Sequence, residues 1–360
     1  MDRIQKLQSK LAGMYIDAFL VTKGVNIKYL TGFDLPDGDG LLLVTTKNAI
    51  LITDQRYAIA LEEFESEQVV GLLTGDYYGS LNELCQGLDI AVLGFEESIP
   101  YQKYDLLDEI MMADLVPFKE TIERFRRVKD QDEIKALRQS ADLMSKGYEY
   151  VLSFIHAGMT ERAVANRLDF WMKEHGATHS SFPTIVASGS NTAKPHATAS
   201  NKVITDSDIV ILDFGYYVNG YTADMTRTFA IGSVDPELYD VYQIVNEARQ
   251  AVISHARAGI HGDQLDQFGR SLIDEAGYDD EFNHGMGHGV GLSVHELPAT
   301  YGPATHDVRL LTNEVVTVEP GIYIPELGGV RVEDNIIISH SEPEVITSAP
   351  TELIVVDQHD

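Results

Sequence analysis

Residues 284–296 read HGMGHGVGLSVHE and place His284, His288 and His295 among four glycines. Steps of four and seven would align three imidazoles on one face of an α-helix, the usual arrangement of a helical metal site. The glycines exclude that helix. Gly285, Gly287, Gly289 and Gly291 would each cost it about 1 kcal/mol relative to alanine, so the segment is a strand or an irregular loop. Neither phosphate-binding glycine pattern fits, and the zinc-protease signature that His295-Glu296 begins fails at Ala299. The histidines are therefore ligands to a metal or substrate, or a buried hydrogen-bonded cluster.

A second group able to do chemistry is acidic. Asp213 in DIVILDFGYYV, Glu319 in EVVTVEPGIYI and Glu333 in GVRVEDNIIIS read as carboxylates inside strands, and Asp224 in NGYTADMTRT follows the first of these. A single one is commonly an ion pair or a cap. Four together need more positive charge than their neighbours Arg227, Arg309 and Arg331 offer. If they share a site, two divalent ions supply the balance and a histidine from 284–296 completes the set. Oxygen donors with one imidazole suit Mn²⁺ or Co²⁺, and the lack of thiolates argues against structural zinc. Two such ions generate a hydroxide near neutral pH, which makes the chemistry metal-assisted hydrolysis. The DFG at 213–215 also invites a protein-kinase reading, but no H-R-D loop or glycine-rich strand loop precedes it.

The elements that must hold these groups follow from apolar patterning. In the first third, short strands (18–23, 40–46, 49–54, 68–73, 90–96) alternate with amphipathic helices near 2–12, 56–65, 80–87 and 101–112, which is an α/β domain. A charged stretch after Pro117 leads into a long amphipathic helix carrying Ile134, Leu137, Ala141, Met144, Tyr148, Val151 and Ile155 at steps of three and four. The boundary falls at 125, giving domains 1–125 and 126–360. The second mixes helices (160–175, 236–258, 262–276) with long hairpin-like strands, an α+β domain with an antiparallel component. No solenoid period and no low-complexity linker are present.

The chain of 360 residues carries 27 basic and 56 acidic side chains, a net charge of −29. That repels nucleic acid and anionic lipid, so neither is an expected partner. One cysteine, Cys85, forms no intrachain disulfide, and the start MDRIQKLQSKL has no apolar signal region. Nowhere do eighteen apolar residues run together. A soluble cytoplasmic protein is expected.

With these residues in view, the sequence resembles the pita-bread metallopeptidases that cleave before proline, Xaa-Pro dipeptidase (prolidase) and Xaa-Pro aminopeptidase (aminopeptidase P). The resemblance rests on FPTIVASGSNTAKPH, LDFGYYVNGYTADMTRT, HGMGHGVGLSVHE, VEPGIY and GVRVED, in that order. It covers the second domain fully and the first more loosely, and implies a creatinase/prolidase-like N-terminal domain before a pita-bread catalytic domain. It also implies that Asp213, Asp224, His288, Glu319 and Glu333 hold two divalent ions, Mn²⁺ first with Co²⁺ or Zn²⁺ possible, and that Asp224 and Glu333 bridge them. His196 and His295 then bind substrate and stabilise the transition state, Glu319 shuttles a proton, His284 and Arg331 lie near the proline pocket, and Tyr323 matches a further substrate-binding position. The implied partners are small peptides with proline second and another copy of the chain in a homodimer.

Each outer residue has a plainer alternative. His284 would merely orient a neighbour, Arg331 would pair with Glu333 or Asp334, and His196 would be a loop histidine. Rival functions are a methionine aminopeptidase-like exopeptidase, metal-free creatinase, and a non-catalytic peptide-binding member of the fold. Retention of all five ligand types sets the last two aside. The short first domain with LITDQRY leans toward small bacterial Xaa-Pro aminopeptidases, while length and motifs fit prolidases equally well.

Overall fold

The apolar runs of the first third pair into one sheet. In the computed structural model, which describes residues 2–357, this region opens with α1 (Arg3–Met14), β1 (Ala18–Val21), α2 (Gly24–Thr31), β2 (Gly40–Thr45) and β3 (Ala49–Thr53). It continues through α3 (Ala58–Glu62), β4 (Val69–Leu73), α4 (Tyr77–Gly87), β5 (Val92–Glu96), α5 (Tyr101–Ile110) and β6 (Asp114–Phe118). The strand order is β4-β3-β2-β1-β5-β6, with β2 antiparallel to both neighbours and the other pairs parallel. Strand β6 escaped the sequence reading because it contains Pro117. Proline cannot donate to a ladder, and β6 accommodates it by lying at the sheet edge.

The chain divides into one unit ending at Phe125 and another beginning at Arg126, and α6 (Glu123–Arg127) spans that point. The second unit starts with α7 (Gln131–Leu152), whose N-cap Asp130 and Glu133 form a reciprocal capping box. Helix α8 (Glu161–Glu174), β7 (Ile185–Ser188), β8 (Ile209–Phe214), β9 (Tyr217–Val218), β10 (Tyr221–Thr222) and β11 (Met225–Ile231) follow. Next come α9 (Pro236–His255), α10 (Gly262–Glu275), β12 (Gly287–Gly289), β13 (Glu296–Tyr301), β14 (Val315–Val318) and β15 (Gly321–Ile324). Strands β16 (Gly328–Arg331), β17 (Asp334–Ile337), β18 (Glu344–Val345) and β19 (Val355–Val356) complete the unit.

Two larger sheets result, β19-β11-β8-β7 and β13-β12-β14-β17-β18, along with the small hairpins β9–β10 and β15–β16. All these pairs are antiparallel except β11–β19. Each larger sheet is covered by the apolar face of a helix pair. Met144, Tyr148 and Val151 of α7 and Leu168 of α8 pack on Leu212, Phe214 and Phe229. Val241, Val245 and Val252 of α9 and Leu265 of α10 pack on Val316, Val318 and Ile336. Burying each such side chain is worth roughly 1.5–3 kcal/mol, so both helix pairs clamp the sheets from which the acidic residues project.

Candidate functional site

The long strands expected around the carboxylates break at the carboxylates themselves. Only Asp213 lies inside a strand, β8. Asp224 sits between β10 and β11, Glu319 between β14 and β15, and Glu333 between β16 and β17. The correction has a physical origin in pairing. Val318 faces Asp334 across β14 and β17, whereas Gly321 faces Arg331 across β15 and β16. Both ladders keep one register with a break between them, and that places Glu319 opposite Glu333 in the gap. Asp213 and Asp224 meet through β8 and β11, where Asp213 faces Thr226.

All ten residues singled out in the sequence line one cavity of about 480 Å³. The four carboxylates and His288 form its floor. His284, Tyr323 and Arg331 stand on one wall, and His196 and His295 are exposed at its mouth.

On the floor, hydrogen bonding stops short of satisfying the acids. Asp213 Oδ2 accepts from Arg331 Nη2 at 2.6 Å, and Glu333 Oε2 accepts from the Thr226 hydroxyl at 2.6 Å. Asp213 Oδ1, Asp224 Oδ1 and Glu333 Oε1 are buried without a hydrogen-bond partner. Leaving a buried charged acceptor unpaired costs a few kcal/mol, and here three meet in one cavity. Burial together with the surrounding acids pushes Asp224 and Glu333 well above the usual carboxylate range, and burial raises Glu319 too.

His288 is oriented so that it could bind a metal. Its Nδ1 lies 3.0 Å from the Gly289 carbonyl, the bond that fixes a proton there and leaves the Nε2 lone pair facing Glu319 Oε1 at 3.4 Å and Asp224 Oδ2 at 3.8 Å. Burial lowers its basicity further. Ligand atoms of Asp224, His288 and Glu333 fall within 4.8 Å of one another, as a shared ion requires. Orphaned oxygens and a neutral imidazole are the donor set that divalent cations satisfy, so these residues fit the metal the sequence anticipated.

On the wall, Arg331 does not take the partner its plainer reading assigned. It pairs with Asp213 and not with Glu333 or Asp334. Its Nε donates to Thr226 Oγ1 at 3.1 Å and its Nη1 to the Tyr323 hydroxyl at 2.7 Å, and that hydroxyl lies 3.0 Å from His284 Nε2. Burial raises Tyr323 to about 12 and lowers His284, so beside the charged Arg331 the wall offers two polar groups held toward their neutral forms. Asp334 instead engages Arg227 and Arg249 behind the floor.

The sequence reading missed the groups that aim the carboxylates. The Thr226 hydroxyl links Arg331 to Glu333. The Thr317 hydroxyl accepts from the His288 backbone N–H at 2.9 Å and donates to Glu319 Oε1 at 2.9 Å. The Asn335 side chain holds both backbone groups of Asp224. The glycines of 284–296 allow close approach. A Cβ on Gly287 would strike the Thr317 carbonyl, and one on Gly291 would lie 2.6 Å from the Glu296 carboxylate. They admit neighbouring backbone and a buried acid, so that β12 can wedge between β13 and β14.

Comparison with known proteins follows the same lines. Residues 135–340 match metallopeptidase family M24, and residues 3–128 match the creatinase/prolidase N-terminal domain. The chain is 34% identical to a Xaa-Pro dipeptidase of Pyrococcus horikoshii, over 98% of this chain and 99% of that one. The structure of a Xaa-Pro dipeptidase from Bacillus anthracis superposes with a TM-score of 0.93 at 38% identity, covering 98% and 99% of the two chains. An X-Pro aminopeptidase from Thermotoga maritima gives 0.90 at 32% identity, covering 99% and 100%.

Proposed function

Because the chain belongs to metallopeptidase family M24, we propose that its cavity hydrolyses the bond between an N-terminal residue and proline, in Xaa-Pro dipeptides and in peptides that begin Xaa-Pro. The observation that carries this reading is the set of three orphaned carboxylate oxygens beside a neutral His288 in the cavity floor. Asp213, Asp224, His288, Glu319 and Glu333 would hold two divalent ions, with Mn²⁺ favoured by the oxygen-rich donors. When bound, such ions supply Lewis acidity and a nucleophilic water at neutral pH.

The chain's own residues do the rest. His295, whose ring centroid lies 4.3 Å from that of His288, donates to the oxygen of the scissile carbonyl as negative charge develops there. His196, also exposed at the cavity mouth, holds the substrate. Glu319, kept in one orientation by Thr317, carries a proton to the proline nitrogen, a tertiary amide nitrogen that leaves only when protonated. The same amide has no N–H for a protein acceptor to recognise, so shape must select it. Phe182, Ile185 and Val294 give the cavity an apolar surface for the ring.

The buried, unpaired Cys85 thiol, raised by its surroundings to about 11, fits a reducing cytoplasm. Among the described residues no helix is long and apolar enough to cross a membrane.

The test is hydrolysis of matched Xaa-Pro, Xaa-Pro-Yaa, Xaa-Ala and Met-Xaa peptides before and after chelation. Metal-dependent cleavage confined to the proline substrates is expected. Equal cleavage of Xaa-Ala or Met-Xaa peptides would move the assignment to a general or methionine aminopeptidase. Comparable rates on Xaa-Pro and Xaa-Pro-Yaa would rule out a strict dipeptidase.

A further inference from the structure

Glu161 is fully buried at the first position of α8, well away from the acids of the floor in sequence, and it takes no part in the chemistry above. Its carboxylate is saturated. Oε1 accepts from the Ser188 N–H at 2.8 Å, the Ser188 hydroxyl at 2.8 Å and Asn191 Nδ2 at 3.0 Å. Oε2 accepts from the Ser200 N–H at 3.0 Å and the Ser200 hydroxyl at 2.6 Å, with Asn191 Nδ2 at 3.3 Å. Ser188 ends β7 and Ser200 lies twelve residues on. Between them run a short 3₁₀ turn (Gly189–Ala193), Pro195 and His196. One side chain therefore ties both stems of the loop that brings Pro195 and His196 to the cavity.

The first turn of α8 reinforces the tie through its backbone. The Glu161 N–H donates to the Lys202 carbonyl at 3.1 Å and the Arg162 N–H to the Ser200 carbonyl at 2.9 Å. Lys202 Nζ closes a second link to the Ser188 carbonyl at 2.9 Å and to Asp208 Oδ2 at 3.0 Å. Midway, Thr192 Oγ1 accepts from the Gly329 N–H at 2.7 Å, which joins the loop to the strand that ends in Arg331. Burial alone would raise the Glu161 carboxyl, but its hydroxyl, amide and backbone donors hold it below the usual range, so it stays ionised and accepting. A charge placed only to favour the helix N-terminus would not need donors from a separate loop.

We propose that Glu161 is the positioning residue for His196, setting the place of that exposed histidine at the cavity mouth by clamping both stems of its loop. The proposal rests on the role given to His196 in the proposed function. A buried clamp suits this position because His196 itself is exposed and must be held in register from below. Displacement by about 1 Å of a group that orients substrate can cost on the order of a hundredfold in rate.

The experiment is a double-mutant cycle in the metal-loaded protein, reading kcat and KM for an Xaa-Pro dipeptide together with bound metal and Tm. Glu161→Gln keeps shape but sets an amide against donors. It should lower kcat/KM roughly tenfold to a hundredfold with metal content unchanged. In a His196→Ala background the same substitution should cost less than about twofold, because the group it positions is gone. Ser200→Ala, which removes one donor and preserves the fold more gently, should show a smaller loss with the same dependence on His196. Equal losses in both backgrounds, or no loss from Glu161→Gln or Ser200→Ala, would overturn the clamp while leaving the peptidase reading intact. Full activity in His196→Ala overturns the clamp and the histidine's role together, whereas a wild-type protein inactive on every Xaa-Pro peptide overturns the proposed function itself. If Glu161→Gln fails to fold, the Ser200→Ala cycle decides.

Discussion

Glu333 and Asp334 are neighbours in the chain and opposites in bonding. Asp334 faces the region behind the floor, where it accepts from Arg227 Nη2 at 2.7 Å, from the Thr347 hydroxyl at 2.5 Å and from Arg249. Burial works against its charge, but the two guanidinium groups hold it below the usual range. Glu333 faces the cavity, where one oxygen has only the Thr226 hydroxyl and the other has nothing. Both residues are buried at 2% exposure or less, so burial does not separate them. Provision of positive charge does. The region behind the floor brings its own cations, whereas the floor leaves carboxylate oxygens unpartnered, as the proposed metal site requires. Burial alone does not distinguish the two carboxylates; the supply of donors does.

The comparison can be broken at either residue. Asp224→Ala or Glu333→Ala should take turnover to background and remove bound metal, while the metal-free variant folds at least as stably as metal-free wild type because like-charge repulsion has been relieved. Metal stoichiometry and denaturant unfolding together check this, and retained metal with retained rate would refute the assignment. Asp334→Ala should do the reverse. It leaves Arg227 and Arg249 buried without their acid and should cost about 3–5 kcal/mol of stability in urea unfolding, with the folded fraction still binding metal.

His295 sharpens the contrast between holding a cation and using it. His295→Ala should keep its metal and lose roughly 10²–10³-fold in kcat, the usual cost of one oxyanion donor. Thr226→Val should have the smallest effect. It removes the hydroxyl that aims Glu333 and should weaken metal affinity about tenfold, with little change in kcat once metal is saturating. An equal change in the Asp334 ion pair's contribution to stability would show that the two regions are not separate.

Much of the site was legible because its residues break local rules. Acids inside apolar runs at 213, 224, 319 and 333, and glycines spaced through 284–296, are costly choices that declare themselves in sequence. The alternation of strands and helices in the first unit was legible for the opposite reason, because its apolar patterning obeys local rules. What escaped depends on partners far along the chain. Thr226 is an unremarkable strand threonine until Arg331 and Glu333 arrive beside it, and Glu161 reads as an ordinary first-turn acid until Ser188 and Ser200 close on it. The break at Glu319 and Glu333 was hidden because apolar residues flank it on both sides, Val318 and Ile322 in one run and Val332 and Ile336 in the other, and only the gap between two ladders divides each run.

On the proposed function, the unpaired oxygens of Asp213, Asp224 and Glu333 exist for divalent cations that drive peptide hydrolysis before proline. Titrating the chelated protein with Mn²⁺, while counting bound ions per chain and following cleavage of an Xaa-Pro dipeptide, tests it directly. Activity absent in the chelated protein and rising to a plateau as two ions per chain bind is the predicted result. Full cleavage without metal, or two ions bound with no cleavage, would contradict it.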